Sequence, residues 1–165
     1  NAPPAVWPVL SGAPGPGRGL RLAVVVAAGS NPPCEPLGTA ARSGPPWRFG
    51  RVLALDAGTG ATLWSFAAPP LGGPPAGAVP GDSCCPDMWG QPSIGVDGTV
   101  YVNWSGGRAF ALRDSNGDGT VNPQDPKEVS SYHHGFGAQS TIAIAPGLTV
   151  VSNCRQVMGY AHGRE

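Results

Sequence analysis

The chain has 165 residues, and its 26 glycines and 20 prolines predict long irregular loops, while a 41% apolar fraction with five tryptophans can still form a core. Ten basic and ten acidic residues cancel, which excludes an electrostatic surface for nucleic acid or an anionic membrane. The longest uncharged apolar run, residues 22–28, is far shorter than the roughly 20 residues of a transmembrane helix, so we expect no such span.

The first predicted repeat covers about residues 20–68. Apolar and β-branched residues predict strands at 22–28, 50–56 and 61–66, separated by a Gly/Pro-rich insertion and by a Gly-Thr-Gly turn. The chain before it opens with Asn-Ala-Pro-Pro and has neither a Met nor a leader, which indicates a processed or cut end.

The second predicted repeat covers about residues 89–134, with strands at 91–94, 99–102, 108–113 and 128–132. An Asp-Gly turn, a Gly-Gly turn and a polar loop separate these strands. Short β-branched runs divided by such turns are typical of an antiparallel meander. Helical periodicity is absent.

The third predicted repeat covers about residues 136–165, with strands at 140–145, 148–151 and 157–160. The segments 1–19 and 69–88 are rich in glycine and proline, and we expect loops there. The sequence therefore predicts an all-β fold of four-stranded antiparallel units joined by long Gly/Pro-rich loops.

One stretch of the first repeat matches the pattern Ala-x-Asp-x-x-Thr-Gly-x-x-x-Trp at every position, with Ala54, Asp56, Thr59, Gly60 and Trp64. This stretch resembles the tryptophan-docking repeat of the quinoprotein (PQQ-like) β-propeller family. The resemblance implies that Asp56 and Thr59-Gly60 fix the turn between the third and fourth strands of a blade. It also implies that Trp64 packs between neighbouring blades, and that residues 1–165 form a single partial β-propeller domain.

The other repeats depart from this pattern, because the second replaces the Thr-Gly turn with an acidic loop and the third has no docking tryptophan. Propellers typically close with four or more blades, whereas two to three repeats are recognisable here. Three readings remain open: a fragment of a longer protein, a core completed by other chains, or an open arc.

The acidic loop of the second repeat fits the twelve-residue calcium loop, in which alternate oxygen ligands surround the ion and a glycine at position six allows a sharp turn. The predicted ligands are Asp114, Asn116, Asp118, the Thr120 carbonyl, Asn122 and Asp125. Aspartate replaces the usual glutamate at position twelve, which weakens binding. Bound calcium would stabilise the loop rather than catalyse a reaction. The alternative is an ordinary Asn/Asp/Gly hairpin loop without an ion.

Four cysteines, Cys34, Cys84, Cys85 and Cys154, are an even set without a Cys-x-x-Cys spacing. This usage favours disulfides in an oxidising compartment over a zinc site. Three pairings are open, one of which joins the neighbours Cys84 and Cys85; the alternative to that pairing is that each of the two pairs with a distant cysteine or stays free. Asn103 opens a glycosylation sequon, so we expect an extracytoplasmic, secreted or lumenal location.

Catalytic motifs are absent from the sequence, which has no nucleophile elbow, phosphate loop or zinc-protease helix. His133, His134 and His162 lack further metal ligands at suitable spacing, and we expect the first two to be exposed at a strand end. Some quinone-dependent dehydrogenases carry a vicinal disulfide over their cofactor, but apart from Trp89 nothing here supplies the rest of such a site. PQQ binding is therefore not expected.

These observations favour a non-catalytic scaffold or a peripheral, extracytoplasmic subunit of a larger assembly, built from PQQ-like repeats and stabilised by calcium. Its expected partners are other protein chains or further blades. Two alternatives stay open: a fragment of a quinone-dependent dehydrogenase, and a secreted calcium-dependent binding module.

Overall fold

A computed structural model describes residues 2–12, 19–29, 50–68, 89–105, 107–135, 137–153 and 155–161. Within these ranges the chain forms eleven β-strands and no helix. No helix capable of crossing a membrane occurs in this part of the chain.

The first sheet has four strands in sequential antiparallel order. They are β1 (Ala5–Ser11), β2 (Gly19–Ala28), β3 (Arg51–Asp56) and β4 (Thr62–Ala67). The strand β1 lies in a segment that the sequence analysis assigns to loop. Its Pro8 argues against a central strand, but β1 is at the edge of the sheet, where a residue without an N–H group is tolerated.

The second and third sheets are also sequential antiparallel meanders. The second contains β5 (Ser93–Ile94), β6 (Val100–Trp104), β7 (Arg108–Leu112) and β8 (Val129–His133). The third contains β9 (Ala143–Ala145), β10 (Leu148–Ser152) and β11 (Val157–Ala161). The predicted all-β fold with antiparallel four-stranded sheets is confirmed.

The first and second sheets share one hydrophobic core. Val25, Val52 and Phe66 enter it from the first sheet, and Val102 and Phe110 enter it from the second. These residues alternate along their strands with partly or fully exposed ones in β2, β3 and β4, as the two-residue period of a strand requires. Burial of apolar side chains between the sheets therefore holds the two together.

The opposite face of the second sheet packs on the third sheet. Ala109 and Tyr101 on this face contact a cluster that includes Ile142, Val151 and Met158. Because both faces of the second sheet are covered, the three sheets form a stack with the second sheet in the middle.

Candidate functional site

The turn between β3 and β4 is organised by the carboxylate of Asp56. Its Oδ1 accepts hydrogen bonds from the backbone N–H groups of Gly58 and Thr59, at 3.1 and 2.9 Å, and from the Thr59 hydroxyl at 3.0 Å. Its Oδ2 pairs with Arg21 at 2.6 Å, and Gly60 adopts a positive φ of 72°. The hydrogen bonds from Thr59, supported by Gly58 and Arg21, hold the pKa of Asp56 below its ordinary value of 3.8.

Trp64 lies at the junction of the first and second sheets, where only 1% of it is exposed. It stands opposite Ala54 in the register of β3 and β4. Beside this junction the rings of Trp89 and Trp104 stack with centroids 5.7 Å apart, and the Trp104 ring lies near Phe110. These indoles form part of the core that the first and second sheets share.

The acidic loop between β7 and β8 holds a buried carboxylate at its first position. Asp114 is 1% exposed, and its two oxygens accept hydrogen bonds from the N–H groups of Gly117 at 2.7 Å and Gly119 at 3.2 Å. Both glycines have positive φ values, 73° and 83°, which let the backbone fold around the carboxylate. The predicted sharp turn at Gly119 is therefore present.

A second buried carboxylate, that of Glu128, closes the same loop at the start of β8. Glu128 is 1% exposed and accepts hydrogen bonds from the Ser115 hydroxyl and from the N–H groups of Asn116 and Asn122, at 3.3, 3.2 and 2.8 Å. The sequence analysis missed this residue because the twelve-residue template ends three positions earlier, at Asp125. The signal was an acid at the first position of the predicted strand 128–132.

The other predicted calcium ligands make local contacts in the structure. Asn116 donates through Nδ2 to Asp118, Thr120 donates its N–H to Asp118, and Asp125 accepts the N–H of Lys127. Asn122 accepts from the N–H of the residue two positions on. Across the described ranges no group of three or more His, Cys, Asp or Glu side chains converges in a metal-binding arrangement.

The charges at Asp114 and Glu128 have no cationic partner in the described part of the chain, where the ion pairs are Arg21–Asp56 and Arg113–Asp97. Burial raises the pKa of Asp114 and outweighs the N–H groups that lower it, while the negative charges of Asp118 and Glu128 raise it further. Two buried carboxylates in one loop fit a hard cation such as Ca²⁺ better than a soft metal.

The acidic loop also crosses to the first sheet. The N–H of Ser65 in β4 donates to the Gly119 carbonyl at 3.1 Å, and the N–H of Val121 donates to the Ser65 carbonyl at 2.8 Å. These bonds form a parallel bridge between Ser65 and Thr120. Val121, only 1% exposed, enters the core that the two sheets share. The acidic loop of the second sheet is thus hydrogen-bonded to β4, the last strand of the first sheet.

The predicted glycosylation residue, Asn103, is fully buried in β6. Its Nδ2 donates to the carbonyl and hydroxyl oxygens of Ser140, at 2.9 and 3.1 Å, and so connects the second sheet to the segment before the third. The folded chain therefore does not offer this amide to a glycosylating enzyme, which argues against glycosylation of Asn103.

The remaining predicted residues divide between the described and undescribed parts of the chain. His133 is exposed as expected, whereas His134 is only 5% exposed, because the chain turns at the end of β8 and the N–H of His134 donates to the Gly107 carbonyl. The predicted cysteines and His162 lie outside the described residues; the cysteines are Cys34, Cys84, Cys85 and Cys154.

A scan against protein-family models finds no match to this chain, and a search of curated proteins finds no significantly similar sequence.

Proposed function

We propose that this chain is a non-catalytic scaffold of the quinoprotein-propeller repeat type, which acts as a subunit of a larger extracytoplasmic assembly. In this proposal calcium, held in the acidic loop, fastens the second sheet to the first. The observation that carries the proposal is the double role of the loop: it pairs with β4 and buries Val121 in the shared core, and it also encloses two carboxylates.

The stacking of the sheets supports the propeller part of the proposal. Each sheet is a sequential antiparallel meander, and neighbouring sheets pack face to face. Propeller blades combine these two properties. Trp64, the last residue of the repeat motif, is buried at such a junction, as the family resemblance implies for a docking tryptophan.

The electrostatics of the loop support the calcium part. A buried carboxylate is costly unless its charge is compensated, and the donors to the two carboxylates of this loop are backbone N–H groups and the Ser115 hydroxyl, all of them uncharged. Asp114 and Glu128 would hold the ion. The oxygens of Asn116, Asp118, Thr120, Asn122 and Asp125 form the remaining donor set that the sequence supplies.

Calorimetric titration of the chelator-stripped chain with CaCl₂ tests this proposal. We expect saturable binding and a higher unfolding temperature, because a ligand that binds only the folded state stabilises it. Asp114→Asn and Glu128→Gln should each weaken binding by about tenfold or more. Asp97→Asn, on the exposed turn between β5 and β6, is the matched control and should bind as the parent does. No binding heat and no thermal shift for the parent chain would remove calcium from the proposal.

The non-catalytic part is tested separately by adding pyrroloquinoline quinone with calcium and recording the visible spectrum after desalting. We expect no retained quinone absorption, because Trp89 stacks on Trp104 inside the core and offers no exposed ring for a planar cofactor. A stoichiometric retained band would instead favour the dehydrogenase alternative.

A further inference from the structure

The second and third sheets meet at a pair of tyrosine rings. Tyr132 of β8 stands opposite Ala109, so it lies on the face of the second sheet that packs on the third. Tyr160 of β11 stands opposite Thr149 and packs against the same core from the other side. The two ring centroids are 4.6 Å apart, at the short end of the roughly 4.5–7 Å range of aromatic pairs. The rings are therefore in direct contact across the junction.

The hydroxyl end of Tyr160 is held in place within its own strand. The Tyr160 hydroxyl donates to the Sδ atom of Met158 at 3.4 Å, and Nε2 of Gln156 donates to the same sulfur at 3.2 Å. Burial, and then the neighbouring Tyr132 hydroxyl, raise the pKa of Tyr160 to about 12. The hydroxyl groups of the pair are thus neighbours, which also brings together the ring carbons beside each hydroxyl-bearing carbon.

The pair is open to solvent because both strands lie at the edges of their sheets. Tyr132 is 47% exposed, so a reagent in solution can reach its ring. The chain has three tyrosines, and the third, Tyr101, lies on the inner strand β6 opposite Ala111. Solvent access and ring contact therefore coincide at the pair of Tyr132 and Tyr160.

Two phenols in contact can be joined by one-electron oxidation. A phenol that loses an electron and its hydroxyl proton becomes a radical, whose unpaired electron is shared with the two ring carbons beside the oxygen-bearing carbon. Two such radicals couple through these carbons. We propose that Tyr132 and Tyr160 form a cross-linking site, at which a one-electron oxidant joins the rings as dityrosine and so connects the second and third sheets covalently.

The oxidant that the reaction needs is hydrogen peroxide acting through a haem peroxidase, which takes one electron from each phenol. Two electrons and two hydroxyl protons leave the pair, and one molecule of hydrogen peroxide takes them up and becomes two molecules of water. The new bond joins one carbon of each ring. The hydrogen atom on each of these carbons then moves to the phenolic oxygen, which restores both aromatic rings and both hydroxyl groups.

The cross-link closes the segment from β8 to β11, which contains β9 and β10, into a covalent loop. Closing a loop restricts the unfolded chain, so the cross-linked protein should be more stable than the untreated one. This inference goes beyond the scaffold role, and it requires neither calcium nor a partner chain.

Peptide mapping of the peroxidase-treated chain tests the proposal. The full chain is treated with a haem peroxidase and hydrogen peroxide at low concentration, and its monomeric fraction is reduced, alkylated and digested with trypsin. Trypsin cleaves at Arg155, between the two tyrosines, so Tyr132 and Tyr160 lie on separate peptides. We expect dityrosine fluorescence, and a linked peptide pair whose mass is the sum of the two peptides less two hydrogen atoms.

Three variants that each remove one hydroxyl group and keep the ring complete the test. Tyr132→Phe and Tyr160→Phe should both lose the fluorescence and the linked peptides. Tyr101→Phe is the matched control and should retain both. Circular dichroism checks that all three variants fold. Treatment should raise the unfolding temperature of the parent chain and of Tyr101→Phe, and should leave that of Tyr132→Phe unchanged.

Two results would overturn the inference. One is a treated parent monomer that lacks the bond between Tyr132 and Tyr160, including the case in which Met158 gains an oxygen atom instead. The other is an equal yield of this bond in the urea-unfolded chain, because the bond would then owe nothing to the fold. Calcium binding is measured separately, so either result leaves the proposed function to its own test.

Discussion

At the carboxylate of Asp56, donors from two parts of the chain meet. The turn supplies Gly58 and Thr59, and β2 supplies Arg21 from 35 positions away. One side chain therefore fixes both the turn between β3 and β4 and its position beside β2.

The lowered pKa of Asp56 predicts a stability loss in acid. Because its pKa in the folded state lies below the ordinary 3.8, ionised Asp56 favours folding at higher pH, and this contribution disappears as the pH falls from 3.8 through the lower folded-state pKa. Urea unfolding at pH 6 and at steps below pH 4 measures the effect. The Asp56→Asn variant should be less stable than the parent at pH 6 and should lose less stability on acidification; equal losses in both chains would contradict the prediction.

Gly90, which precedes β5, lies against the backbone of Ser140, which precedes β9. A Cβ atom added there would overlap the carbonyl oxygen of Ser140, which already accepts from Asn103. We expect Gly90→Ala to lower the free energy of unfolding by about 2 kcal/mol, the usual cost of overpacking. Chemical denaturation measures it. Gly19→Ala, where the added Cβ meets nothing within 4 Å, is the control, and a comparable loss there would contradict this explanation.

At the scale of elements, the loop between β7 and β8 connects the first two sheets, because it is hydrogen-bonded to β4 and buries Val121 in their shared core. We expect Val121→Ala to lower the free energy of unfolding by about 2 kcal/mol, because it removes buried methyl groups from the shared core. Val96→Ala, at an exposed position, should change stability little. If calcium holds the loop on β4, added calcium should raise the free energy of unfolding of the parent chain. Equal free energies of unfolding for the parent and Val121→Ala would contradict the prediction that the loop holds the two sheets together.

The sequence predicts most of these elements because their strands are short β-branched runs between Asp-Gly and Gly-Thr-Gly turns, which are local signals. It does not predict β1, since Pro8 is acceptable only at an edge, and the edge position depends on the sheet. It also misses the pairing of Ser65 with Thr120, which joins residues far apart in the chain. Glu128 is also missed, because it lies outside the twelve-residue calcium template and contacts the loop only in the folded chain.

At the scale of the whole molecule, the second sheet is covered on both faces, whereas the first and third sheets are each covered by a described sheet on one face. Hydrogen exchange is slowest in strands that are both paired and buried. We therefore expect the slowest amides in β6 and β7, which pair on both sides, and faster exchange in the edge strands β1 and β9. Slower exchange in β1 than in β6 would contradict the stacked arrangement.

The bridge from the acidic loop to β4 also bears on aggregation. β4 is the last strand of the first sheet, and an unpaired strand edge is a template for pairing with other chains. At Ser65 the loop occupies both the N–H and the carbonyl group of this edge. While the loop stays docked, it blocks the middle of β4 against intermolecular strand addition, so any change that releases the loop also uncovers a nucleus for amyloid-like assembly.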